Sequence, residues 1–200
     1  KMSKAKVTFS HGRKVTLSGR LTTQDGTPVA GAVLNVLALD LGVFNAAPKS
    51  AGTVTTRADG SFSLKVGPRG AKRYMVLFQP SPESGAIVVT SALAQEKLAL
   101  SARSSAGRVR PGGSISISGQ LKGAGAAAED APVEIDAKVA GRWRAVGVIE
   151  ADRKGNYEWD YRFVRVKVAT RFVFRAQVRR DASWPWPTVS SKIVKVLVAP

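Results

Sequence analysis

One strand–turn–strand pattern occurs twice, and this repeat constrains the fold more than any other feature. The stretch Thr53-Val-Thr-Thr-Arg-Ala-Asp-Gly-Ser-Phe-Ser-Leu-Lys-Val66 returns as Val148-Ile-Glu-Ala-Asp-Arg-Lys-Gly-Asn-Tyr-Glu-Trp-Asp-Tyr161. Gly60 aligns with Gly155, Phe62 with Tyr157, Leu64 with Trp159 and Val66 with Tyr161. The echo continues upstream, where Ile115, Ile117, Gly119 and Leu121 overlie Val15, Leu17, Gly19 and Leu21. Val133, Ile135 and Ala137 match Leu34, Val36 and Ala38, and the apolar run from Arg171 to Val178 matches the one starting at Tyr74. A chain of 200 residues built this way reads as two units of ordinary domain size, 1–101 and 102–200.

Each unit alternates apolar and polar residues over short runs, with turn signals at close intervals. That is the pattern of an all-β, antiparallel Greek-key sandwich of about seven strands per unit. The spacing leaves no room for the crossover helices of a parallel sheet. Residues opposite each other in an antiparallel pair share a face. If the repeated pattern is a hairpin, an odd loop pairs Val54 with Leu64 and Thr56 with Phe62. In the second copy it pairs Ile149 with Trp159 and Ala151 with Tyr157. Such a loop needs glycine at a positive φ and predicts that the Asp59 carboxylate folds back onto turn amides. Gly19 marks a bulge or a close backbone approach.

Composition excludes several chemistries. The chain has no cysteine, which removes disulfides, thiol nucleophiles and cysteine metal sites. Its one histidine, His11, sits beside Gly12 in a turn and is read as an exposed turn residue rather than a catalytic base. A zinc site needs three or four nitrogen or sulfur ligands where one is present. No cofactor, metal or enzymatic activity is expected. No apolar run approaches the ~18 residues of a membrane helix. The net charge of +17 is spread over both halves, with 13 basic and 5 acidic groups in 1–100, and 18 and 9 in 101–200. Such a chain adheres to polyanions at low salt, without specifying which.

Five residues stand out as candidates for ligand contact. Trp184 and Trp186 alternate in a proline-braced loop, and flat rings held stiffly can stack on sugars or bases. The alternative is that they cap the end of the sandwich. Trp143, between Arg142 and Arg144, aligns with the longer loop of the first unit; it reads either as edge packing or as a cation–π contact to a polyanion. The basic runs Arg162–Lys167 and Arg175–Arg180 read as outward cations that blunt edge-to-edge pairing. Glu150, Glu158 and Asp160 read as a solvated charge lattice.

The runs Val15-Thr-Leu-Ser-Gly-Arg-Leu21, Pro28-Val-Ala-Gly-Ala32, Thr53–Phe62, and Gly141-Arg-Trp-Arg144 followed by Gly155-Asn-Tyr157 resemble tandem bacterial immunoglobulin-like or carboxypeptidase-regulatory-like (transthyretin-like) domains of secreted actinobacterial proteins. The resemblance spans nearly the whole chain and implies a module that spaces, braces or binds, with no catalytic residues. The expectation is a non-enzymatic structural or adhesive module of an extracellular or cell-surface protein, read as a segment of a longer polypeptide. Its partners would be other protein domains or anionic surface polymers, with nucleic acid bound only through nonspecific charge. The alternative is a glycan or anionic cell-wall polymer binding module using the loop tryptophans and basic strand faces.

Overall fold

The computed structural model describes residues 1–67, 69–180 and 184–200. Pro68, Asp181 and Ser183, the last in the loop of Trp184 and Trp186, lie outside them. The chain divides into two compact units, Lys1–Lys97 and Leu98–Pro200. The division falls upstream of the expected boundary after residue 101 because Ala99 and Leu100 pair with Lys122 and Leu121 of the second unit.

The first unit contains β1 (Lys6–Phe9), β2 (Val15–Arg20), β3 (Val33–Asp40), β4 (Lys49–Thr55), β5 (Ser61–Val66), β6 (Ala71–Phe78) and β7 (Ile87–Glu96). One sheet runs β1-β7-β6-β3-β4, and β2 pairs with β5 in the other. The alternating apolar residues meet between these layers. Leu17, Phe62 and Val66 belong to one core with Leu34, Val36, Tyr74, Val76, Ala92 and Ala94. Each large side chain so buried contributes about 1.5–3 kcal/mol relative to exposure.

The repeated pattern is an arch between layers, not a paired hairpin. β4 pairs with β3, setting Val54 opposite Leu34, whereas β5 pairs with β2, setting Leu64 opposite Leu17 and Phe62 opposite Gly19. Val54, Phe62 and Leu64 nevertheless line one interior with Val36 and Tyr74. Parity cannot separate the two geometries. An odd-looped hairpin and an arch across the core both turn the same alternate residues toward each other. The turn itself is as expected. Gly60 has φ +76°, and the Asp59 carboxylate accepts from Ser61 N at 2.9 Å. Gly60 O accepts from Leu21 N at 2.9 Å, and a Cβ on Gly60 would strike the Leu21 carbonyl.

The second unit contains β8 (Ala99–Leu100), β9 (Arg103–Ser104), β10 (Arg108–Val109), β11 (Ser114–Lys122), β12 (Pro132–Val139), β13 (Arg142–Glu150), β14 (Asn156–Arg162), β15 (Thr170–Val178), β16 (Val189–Ser190) and β17 (Val194–Val198). One sheet runs β10-β17-β15-β12-β13 with β16 on β15; the other runs β14-β11-β8 with β9 also on β11. The arch recurs: Ile149 pairs with Val133, while Trp159 pairs with Ile117 in the opposite layer. Leu121 N donates to Gly155 O at 2.7 Å, repeating the Leu21–Gly60 clasp. Here Asp152 holds the turn, accepting from Lys154 N and Asn156 N at 2.8 Å each. The small-residue stretch 123–130 is partly a 3₁₀ turn, Gly125–Ala128, with Ala127 and Ala128 buried.

Gly19 and Gly119 mark close approaches within regular ladders rather than bulges. A Cβ at Gly19 would meet the Phe62 ring and Lys1 O; one at Gly119 would meet Ser101 O and the Tyr157 hydroxyl. Besides a shift in β7 at Val89, bulges lie in β4 and β13, each at the end of its sheet. Val36 faces Gly52 and Leu37 faces Ser50; Ile135 faces Gly147 and Asp136 faces Ala145. The residues left over, Ala51 and Val146, kink each edge, a device that discourages pairing with another chain. Among the described residues, the ladders are antiparallel except at two pairs, where β1 runs parallel to β7 and β10 parallel to β17.

Candidate functional site

The structure scatters the five candidate residues among different roles. Trp184 and Trp186 are 5 % and 1 % exposed, with ring centroids 4.7 Å apart and planes tilted by 44°. Rings this deeply buried offer no open face to a sugar or a base, which corrects the reading of them as a stacking platform. The deciding variable is tertiary burial, and a proline-braced pair of tryptophans carries the same local signal in either setting.

Trp143, Arg142 and Arg144 lie on β13 rather than in a long loop. The β12–β13 connection is the two-residue turn Ala140-Gly141, with φ of 48° and 80°, so both central residues adopt the left-handed conformation that tight hairpins require. Arg142 and Arg144 are exposed on this edge strand. Trp143 is half-buried, and the guanidinium over its ring belongs to Arg175, 4.5 Å from the centroid. The cation–π contact is therefore internal, made to a residue that the sequence does not place nearby.

Arg175 also leads into a charge network. Its Nε donates to Asp136 at 2.8 Å, and Arg179 makes two 2.6 Å bonds to Glu134. Asp136 is fully buried, and its Oδ1 has no hydrogen-bond partner, with Arg179 3.9 Å away. Burial pushes the Asp136 carboxyl above its ordinary range against the pull of Arg175. The Arg179 fork holds Glu134 below its own. β15 sits between β12 and β17, so Arg175 on this central strand pairs with the buried Asp136, and Arg179, one residue past its end, pairs with the partly buried Glu134. They are not edge guards, as the sequence reading had them.

His11 is an exposed turn residue, yet its Nδ1 contacts the carboxylate of Glu96, which is 2 % exposed. The other Glu96 oxygen accepts from Gly70 N at 3.0 Å. This carboxylate ties the turns around His11 and Gly70 to the end of β7, a bracing role. Glu150, Glu158 and Asp160 are exposed, as expected. The first two line an open groove on the second unit with Arg103, Asp130, Asp152 and Asn156. Asp152 is committed to its turn, and its hydrogen bonds, those from Asn156 foremost, lower its pKa. Among the described residues, no three histidine, aspartate or glutamate side chains are placed to hold a metal ion, and no helix is long and apolar enough to cross a membrane.

No protein-family model matches the chain, and no curated protein matches it. Solved structures match it over almost its full length. A tetra-tandem repeat from the extending region of a large adhesion protein is 17% identical with a TM-score of 0.57, covering 99% of this chain and 48% of that one. The adhesin InvE of Yersinia pseudotuberculosis is 14% identical with a TM-score of 0.51, covering 98% and 57%. The N-terminal four Ig domains of Dscam1 isoform 8.4 are 13% identical with a TM-score of 0.51, covering 98% and 43%. The chain thus spans about half the length of these structures. At such identities the likeness shows the fold alone, and that fold is immunoglobulin-like.

Proposed function

We propose that the chain is a non-enzymatic structural and adhesive module of an exported or cell-surface protein, built to transmit tension along its length. The observation that carries this reading is a parallel pairing of the last strand of each unit with an early one, β1 in the first unit and β10, its third strand, in the second. β1 runs parallel to β7 from Lys6–Leu93 to Phe9–Glu96, extended by Leu93 N to Ala5 O at 2.8 Å and Lys97 N to Phe9 O at 2.9 Å. β10 runs parallel to β17, flanked by Leu197 N to Gly107 O at 2.9 Å and Ala199 N to Val109 O at 3.1 Å. When the two ends of a unit are pulled apart, strands paired in this parallel way slide past each other. Their hydrogen bonds then load together instead of opening one by one.

The extending repeat of a large adhesion protein and the Yersinia adhesin support this reading, as does the sequence resemblance to secreted actinobacterial modules. The partners fitting the +17 surface are other protein domains and anionic surface polymers, held by diffuse charge that moderate salt screens. The test is protease shaving of intact source cells. Peptides from residues 1–200 should be released before cytoplasmic markers appear; release only after lysis would refute the surface assignment.

A further inference from the structure

The two units share one frame and differ sharply at one connection of the larger sheet. In the second unit the β12–β13 turn is Ala140-Gly141. In the first, β3 and β4 are joined by residues 41–48, Leu-Gly-Val-Phe-Asn-Ala-Ala-Pro, which carry no charge. Gly42 (φ 75°) and Asn45 (φ 52°) hold this loop in a defined path, and Leu41 N donates to Ala71 O at 2.9 Å. Leu41, Val43 and Ala46 are turned partly inward. Phe44 is not: it is 91% exposed, more than any other large hydrophobic residue of the described chain.

The topology gathers basic residues around this tip. The turn after β1, the turn before β6 and the β3–β4 loop share one end of the unit: Glu96 contacts His11 and accepts from Gly70 N, and Leu41 N joins the loop to Ala71 O at the start of β6. Arg13, Lys14, Lys49, Arg69 and Arg73 are exposed there. The acids at this end are engaged: Asp40 pairs with Lys72, and Glu96 is buried against His11.

We propose that this end of the first unit binds an anionic lipid surface, with Phe44 inserted among the acyl chains and the five cations against the headgroups. An uncharged loop with an aromatic tip, at an end that also exposes five cations, combines the two signals that stable attachment to a bilayer needs, an apolar wedge and a polybasic patch. A soluble polyanion would satisfy the cations but leave Phe44 in water. The inference stands apart from the tension-transmitting role, which uses the parallel strand pairs and not this loop.

The test is co-sedimentation of the full chain with vesicles of equimolar phosphatidylglycerol and phosphatidylcholine, beside vesicles of phosphatidylcholine alone. The wild type should bind the first and not the second. Phe44→Ala should lower the partition coefficient about tenfold or more, the transfer value of one aromatic side chain, while retention on a polyphosphate resin stays unchanged. The emission of Phe44→Trp, taken as the difference from wild type with its four native tryptophans, should be blue-shifted on the anionic vesicles. The exposure of residue 44 makes both variants safe for folding, which unchanged melting would verify. Equal vesicle binding by Phe44→Ala, or water-like emission from bound Phe44→Trp, would overturn the insertion. Loss of polyphosphate retention in Phe44→Ala would overturn it as well.

Discussion

Replacing Gly119 by alanine probes the closest packing in the second unit. Gly119 faces Tyr157 across the β11–β14 ladder, and the Tyr157 hydroxyl donates to Ser101 O at 2.5 Å. A methyl at residue 119 would fall on that carbonyl, with the Tyr157 hydroxyl 2.5 Å away. The carbonyl cannot retreat easily, because Ser101 N donates to Gln120 O at 3.1 Å and Ser101 Oγ accepts from Gln120 N at 3.0 Å. Overpacking of this kind costs about 1–3 kcal/mol. Stranding the buried hydroxyl adds about 1–2 kcal/mol more. At ~3 kcal/mol the melting temperature of a unit this size falls by roughly 12–24 °C. All four tryptophans lie between residues 143 and 186, so tryptophan emission reports the second unit alone. The matched variant Gly19→Ala would come 2.5 Å from the Phe62 ring and 2.6 Å from Lys1 O, a looser fit than the 1.9 Å approach to Ser101 O at residue 119. Its cost should be smaller, about 1–2 kcal/mol, and visible in circular dichroism rather than in tryptophan emission. Tyr157→Phe, which loses the hydrogen bond without the clash, should fall between wild type and Gly119→Ala. A Gly119→Ala emission transition within about 2 °C of wild type would refute the packing described.

Two further outcomes follow from buried and turn residues. Trp186→Ala should destabilise the second unit by about 3–5 kcal/mol and leave retention on polysaccharide resins unchanged; a specific loss of glycan retention in a folded variant would restore the stacking role. Asp152 has a lowered pKa in the fold, so its contribution is complete above the ordinary carboxylate value of ~4 and is lost as pH falls through the lowered one. Acid unfolding followed by tryptophan emission should therefore depend less steeply on pH in Asp152→Asn; an unchanged slope would remove this turn from the account.

Local pattern determines much of this fold, and long-range pairing determines the rest. The inward positions Leu34, Val36, Val133 and Ile135 are all buried, because alternation on a half-covered strand leaves one choice of face. Gly60 and Gly155 announce their turns because only glycine accepts that φ at low cost beside a backbone carbonyl. The arch was not legible, since its parity equals that of an odd-looped hairpin. The Arg175–Asp136 and Arg179–Glu134 pairs were hidden because they depend on which strand neighbours β15. His11 and Glu96 meet across 85 positions of sequence. Phe44 sits in a loop that sequence reading recognised only as long; its significance lies in the contrast with Ala140-Gly141, and that contrast required both registers.

The most direct test of the proposed role is a single-molecule pull on residues 1–200 held by its two ends. Units of the observed lengths should unfold in two discrete steps, each releasing roughly 30 nm at ~3.6 Å per extended residue. Val7→Pro, which disrupts the β1–β7 ladder, should lower the rupture force of one step and leave the other as it was. Gradual lengthening without two steps, or a Val7→Pro trace identical to wild type, would contradict the assignment of tension to the parallel strand pairs.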